Sequence, residues 1–259
     1  MDETIQIRVH GEASQPTLIY LPGMHGDWTL VSSFRAALNG QTRFVEVTYP
    51  RTTNWSLAQY ATAVTEAVRA NRISQGWLIA ESFSSQVAWA ILDRAEQNGF
   101  QMQGLILAGG FVRHPVLAAV YFARSVNRAV PMWLLKKACG FYARYAKFRH
   151  RRAPETLACI SKFVENRATE ADRRAVCHRY TIIAQNDFRP MARQARVPVY
   201  QLCGFFDPIV PWPFVQPWLK RHCPGFREWK VVWGADHNVL GTAPQASAEC
   251  VLRWIRTPA

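Results

Sequence analysis

Apolar and polar positions along the chain follow two alternating patterns. Period-two stretches and short apolar runs bounded by turn residues predict strands at 4–9 (Thr-Ile-Gln-Ile-Arg-Val), 17–22, 43–48, 76–81, 103–109, 197–203 and 228–233. Between them, apolar residues recur at helical spacing over 28–38, 56–72, 84–98, 212–221 and 243–256. Strands alternating with helices predict an α/β fold, a mostly parallel sheet with helices on both faces. The exception is 113–190, which has helical spacing, no convincing strand, and a position between two sheet strands. A compact domain does not carry so long a plain loop. The expectation is therefore one core, 1–112 with 191–259, interrupted by a helical insertion at 113–190 that sits over the carboxyl ends of the strands, where open α/β sheets bind their ligands.

Composition adds exclusions. The 259 residues are 49% hydrophobic and 19% charged, and no segment repeats, which excludes a disordered chain, a coiled coil and a solenoid. No apolar stretch reaches the roughly 18 residues a membrane span needs. The first residues, Met1-Asp-Glu-Thr-Ile-Gln-Ile, lack the basic patch and apolar run of a secretory signal. Six cysteines stand far apart with no C-x-x-C, so reduced thiols and a cytoplasmic location are the expectation. Neither a metal nor a cofactor is expected, because no H-E-x-x-H, P-loop or G-x-G-x-x-G is present.

The net charge of +13 is concentrated. Residues 111–196 hold 18 Lys/Arg against 5 Asp/Glu, while the rest of the chain is balanced. From Arg113 to Arg152 there are ten basic residues, no acidic one, and many aromatic and aliphatic neighbours. Such a surface suits an anionic substrate, an acidic acyl carrier protein or an anionic membrane surface, or is simply a solvated arginine-rich face. Nucleic acid is not expected, since no binding module accompanies the basic residues.

Three segments carry candidate chemistry. In Gly76-Trp-Leu-Ile-Ala-Glu-Ser82-Phe-Ser84 an apolar strand runs directly into Ser82 and then into a helix, the setting of a nucleophile elbow or, taken alone, of a serine that caps the helix. Such a turn crowds strand against helix, so the residues two before and two after the serine must be small. Ala80 and Ser84 stand where G-x-S-x-G has glycine. The second segment ends a strand at Gly204 and places Asp207 three residues on, where it serves either as an acid or as a turn cap before Pro208. The third ends a strand at Gly234 and places His237 on the loop entering the last helix.

The order Ser, Asp, His, each just after a strand, resembles that of the α/β-hydrolases over nearly the whole chain. That resemblance implies a catalytic triad of Ser82, Asp207 and His237, and carboxylic ester hydrolysis through an acyl-enzyme. It further implies an oxyanion hole from the backbone N–H groups of Met24, in the turn Pro22-Gly-Met-His25-Gly, and of Phe83, directly after the nucleophile. Asp27 and Asp236 are weaker candidates for the acid, and His25 either shapes the turn, the favoured role, or touches substrate. The inserted segment is similar to the helical cap of small bacterial carboxylesterases, including pimeloyl-carrier methyl ester esterases, which implies an acyl pocket lined from among Leu117, Tyr121, Phe122, Trp133, Leu134, Leu135, Phe141 and Tyr142, or plain helix packing by the same residues. Thioester cleavage uses the same triad. An inactive ligand-binding or scaffold protein of the same fold is the alternative of another class.

Overall fold

A computed structural model describes residues 4–149, 157–158 and 169–257. Seven strands form one sheet: β1 (Gln6–His10), β2 (Thr17–Leu21), β3 (Arg43–Thr48), β4 (Gln75–Glu81), β5 (Gln101–Ala108), β6 (Val199–Gly204) and β7 (Phe226–Val232), in the order β1-β3-β2-β4-β5-β6-β7. Only β1 is antiparallel to its neighbour; the other pairings are parallel. Central strands buried on both faces have to be apolar at successive positions, and β2 and β4 show it. Ile19, Leu21, Leu78, Ala80, Leu105 and Leu107 fill a core on one face, while Leu18, Tyr20, Trp77, Ile79, Ile106 and Ala108 fill a second on the other.

The helices are α1 (Ser32–Ala37), α2 (Leu57–Ala70), α3 (Ser84–Asp93), α4 (Ala95–Asn98), α5 (Leu117–Ala129), α6 (Met132–Arg149), α7 (Glu170–Gln185), α8 (Arg189–Ala192), α9 (Trp212–His222), α10 (Val239–Thr242) and α11 (Pro244–Arg256) among the described residues. The faces of α2 and α3 close the first core, and those of α1 and α11 close the second. A capping box starts α2: the Ser56 hydroxyl accepts from Gln59 N–H while the Gln59 side chain accepts from Ser56 N–H.

Between β5 and β6 the described residues of 113–190 contain helices and no strand. Helices α5 and α7 pack against each other, and Thr169 caps α7 by accepting from Asp172 N–H. No described helix is long and apolar enough to cross a membrane. Cys177, Cys203, Cys223 and Cys250 are free thiols, and all but Cys177 are buried.

Candidate active site

Parallel strands deliver their following loops to one edge of the sheet, and the loops after β2, β4, β6 and β7 bring Met24, Ser82, Asp207 and His237 there. Strand β4 ends at Glu81, and Ser82 follows at φ +50°, a left-handed conformation that a side chain other than glycine's adopts at a cost. Its N–H still donates to Ala108 of β5 at 3.0 Å, while its carbonyl accepts from the N–H and hydroxyl of Ser85 at 3.0 and 2.7 Å. These bonds hold the turn and start α3 within two residues. Ser82 is 7% exposed, so the hydroxyl meets the outside only through the cavity it lines.

The strand β6 loop brings Asp207 to the same edge. Its Oδ1 accepts from the N–H groups of Ile209 and Val210, both at 2.9 Å, leaving Oδ2 for His237 Nδ1 at 2.8 Å. One carboxylate oxygen thus caps the turn, as the sequence allows, and the other faces the His237 ring. His237 Nε2 lies 2.8 Å from Ser82 Oγ. Burial by itself disfavours the imidazolium, but the Asp207 hydrogen bond and charge, with Glu81 and Asp236 nearby, outweigh it and raise the His237 pKa above its ordinary 6.5. The weaker acids are engaged elsewhere: Asp236 accepts from Asn238 N–H at 3.0 Å and Asp27 from Thr29 N–H at 2.8 Å.

The turn after β2 closes with Gly26 N–H donating to Gly23 at 3.0 Å. Among the described residues no main-chain carbonyl accepts the N–H of Met24 or Phe83. Met24 lines the cavity, whereas the Phe83 ring is buried against Tyr49 and Tyr60.

The cavity measures about 370 Å³. Its floor includes Ser82, His237 and Met24, and its walls include Phe111 and Ile209 together with Val120 and Asn127 of α5 and Val176, Tyr180 and Ile183 of α7.

Solved structures with the same chain path are several. An enol-lactonase from Burkholderia xenovorans LB400 superposes with a TM-score of 0.78 at 18% identity, covering 98% of this chain and 96% of its own. A thermophilic esterase from Thermogutta terrifontis gives 0.74 at 19%, covering 97% and 93%. A bromoperoxidase from Bacillus anthracis gives 0.79 at 12%, covering 98% and 95%. The chain has the α/β-hydrolase fold. No family model matches it, and no curated protein sequence does.

Of the residues expected to line an acyl pocket, none of the described ones lines the cavity. Tyr121, Phe122, Trp133, Leu134 and Phe141 are exposed, and Leu117 borders a separate hollow beside Arg113 and Trp218. The Tyr142 side chain lies outside the described residues. Helical geometry explains the difference on α5: Val120 and Asn127, seven residues apart, share the inward face, and Tyr121 and Phe122 are turned away from it.

Two features of the site carried no signal in the sequence. Glu81 is buried directly before Ser82 and accepts a hydrogen bond from the Tyr20 hydroxyl. Burial raises its pKa, against the lowering effects of Tyr20 and His237. Arg179 of α7 is 1% exposed, and its guanidinium donates to Met24 O at 2.7 Å, Pro50 O at 2.9 Å and Tyr60 Oη at 3.3 Å. Among the described residues no group of His, Cys, Asp and Glu is placed to hold a metal ion.

Proposed function

We propose that the protein is a serine hydrolase that cleaves carboxylic esters through an acyl-enzyme on Ser82. The observation carrying this reading is the continuous chain from Ser82 Oγ through both ring nitrogens of His237 to Asp207, each step 2.8 Å, on a serine with positive φ beside a cavity.

The chemistry follows from those atoms. His237 Nε2 takes the Ser82 proton as Oγ attacks the acyl carbon, and Asp207 holds the proton on Nδ1 and stabilises the imidazolium. The carbonyl oxygen becomes an oxyanion accepting from the Met24 and Phe83 N–H groups, a pair of donors each worth about 3 kcal/mol in sites of this kind. The imidazolium then protonates the departing alkoxide. A water molecule, deprotonated by His237, attacks the acyl-enzyme and releases the acid with Ser82 restored.

In this reading 113–190 is a cap: α5 and α7 supply one side of the cavity and keep bulk water from the acyl-enzyme. Its charge supports an acidic partner, because Arg124 and Arg128 of α5 and Arg173 and Arg174 of α7 border a single groove. Binding of an acidic acyl carrier protein that weakens steeply with salt is the expected behaviour; salt-independent binding overturns that part.

The experiment is hydrolysis of nitrophenyl esters of two to twelve carbons by wild type and Ser82→Ala, with fluorophosphonate labelling of both. Turnover and labelling that vanish in Ser82→Ala support the enzyme reading. Absence of both in folded wild type moves the reading to a ligand-binding or scaffold protein.

A further inference from the structure

A guanidinium buried without a carboxylate is costly to retain, and the Arg179 side chain makes no ion pair among the described residues. Its donors go instead to neutral acceptors on three separate elements: the turn after β2 (Met24 O), the segment after β3 (Pro50 O) and α2 (Tyr60 Oη). Its plane also lies within 5.6 to 5.9 Å of the ring centroids of Tyr49, Tyr60 and Phe83. These aromatic faces stabilise a desolvated cation without supplying a formal charge.

The juxtaposition is specific. Arg179 touches both residues proposed to donate to the oxyanion, bonding the carbonyl of Met24 and packing over the ring of Phe83. The turn also makes room for it. Gly26 has φ +74°, and a Cβ there would stand 2.7 Å from one terminal guanidinium nitrogen and 2.8 Å from the other. The Gly26 carbonyl in turn accepts from Tyr49 N–H at 2.8 Å, fixing the far side of the turn. Yet Arg179 belongs to neither the turn nor the sheet. It comes from α7, the helix that also presents Val176, Tyr180 and Ile183 to the cavity.

From this we infer that Arg179 is a positioning residue of the oxyanion site, through which helix α7 of the inserted segment sets the aim of the Met24 N–H. The Met24 carbonyl belongs to the peptide following that N–H, so a planar fork that ties this carbonyl to the one of Pro50 limits rotation about the Met24 backbone and holds the donor in place before substrate arrives. A lysine offers one rotatable point of attachment where arginine offers a planar fork, so the two are unequal here. The inserted helices in this view do more than cover the pocket: one of them completes the machinery beneath.

The inference rests on the esterase reading for its catalytic consequence, but the ordering of the turn is measurable without it. We would compare full-length wild type, Arg179→Lys and Arg179→Met by thermal melting, steady-state kinetics on a nitrophenyl ester, and amide hydrogen exchange of the peptide spanning Pro22 to Asp27. The expected result is a kcat lowered about tenfold to a hundredfold in Arg179→Met with KM within about twofold, and faster exchange in that peptide, since a misaimed donor loses part of what a deleted one loses. Arg179→Lys, which keeps the cation, falls between wild type and Arg179→Met in kcat and in exchange, with its melting measured alongside. A merely structural arginine would lower the melting temperature and leave kcat and the exchange of this peptide unchanged, and that result overturns the inference. If wild type hydrolyses no ester, the esterase reading fails by itself. Exchange in the Pro22–Asp27 peptide then decides the role of Arg179, with unaltered exchange overturning it.

Discussion

The hydroxyl of Ser84 donates to the carbonyl of Pro22, binding the turn that precedes Met24 to the first residue of the nucleophile helix. Tyr49 Oη lies 2.6 Å from Ser84 Oγ and donates to it, so a chain of hydroxyls runs from β3's end to the turn. Here a serine stands where the elbow pattern has glycine, and its small side chain meets the steric demand while adding a bond glycine lacks. Ser84→Gly restores the common pattern and removes the tie. The expected outcome is a loss of about 1 to 2 kcal/mol of stability, since Pro22 O and Tyr49 Oη both lose a buried partner. A several-fold lower kcat accompanies it. Thermal melting and ester kinetics check both.

Asp207 and Asp236 lie on either side of the assignment of the acid. Asp207→Asn is expected to lower kcat by about 10³ to 10⁴, because an amide no longer holds the Nδ1–H tautomer of His237. Asp236 bonds Asn238 N–H and the Thr242 hydroxyl at 3.0 and 3.3 Å, so Asp236→Asn should change kcat little. Equal losses in the two variants would remove Asp207 from its assigned role.

The fold was legible because its signals are local. Strand Gln75–Glu81 is read from the continuous apolar run Trp77–Ala80, and its burial on both faces is what such a run means. Ser82, Asp207 and His237 were legible because each stands just past a strand end, a position that sequence does mark. Arg179 was not. It is one of 18 basic residues in 111–196, and only the packing of α7 on the turn after β2 distinguishes it from its exposed neighbour Arg174. Which way Tyr121, Phe122, Trp133 and Phe141 face was not legible for the complementary reason: composition gives apolar character, while the rotation of a helix about its own axis decides which side chain faces the cavity.

Gly204 ends β6 directly against the histidine loop. A Cβ there would stand 2.1 Å from Asp236 O and 2.7 Å from the Ala235 carbonyl, both backbone atoms that cannot step aside singly. Gly204→Ala should therefore displace the loop carrying His237 and lower both stability, by about 1 to 3 kcal/mol, and kcat. A variant with unchanged melting and kinetics would show that the loop yields freely.

His237 makes activity and stability respond to pH in opposite directions. As general base it acts when neutral, and its pKa is raised, so kcat/KM should fall on the acid side with a midpoint above 6.5. For stability the sign reverses. A histidine whose folded pKa exceeds its unfolded value contributes stability fully below the unfolded value and loses it as pH rises through the folded one. His237→Ala should thus abolish activity while losing less stability at high pH than below 6.5. Kinetic profiles and denaturant melts at matched pH test the pair.

Glu81 offers a way to move that limb without touching the triad. Its carboxylate raises the His237 pKa through charge alone, and its own burial disfavours ionisation. Glu81→Gln keeps an acceptor for the Tyr20 hydroxyl and removes the charge, so the acid limb of kcat/KM should shift to lower pH. Stability shifts in the same variant for a separate reason. A carboxyl whose folded pKa is raised favours the folded state below its unfolded pKa and opposes it increasingly as pH rises through the folded pKa, so the glutamine should stabilise the protein most at neutral and higher pH. An acid limb that stays in place in Glu81→Gln, with a higher melting temperature at neutral pH, would show that the buried carboxyl is already neutral in the folded protein and lends His237 no charge, while a limb that moves without any gain in melting temperature would show that the carboxylate is charged and its burial compensated.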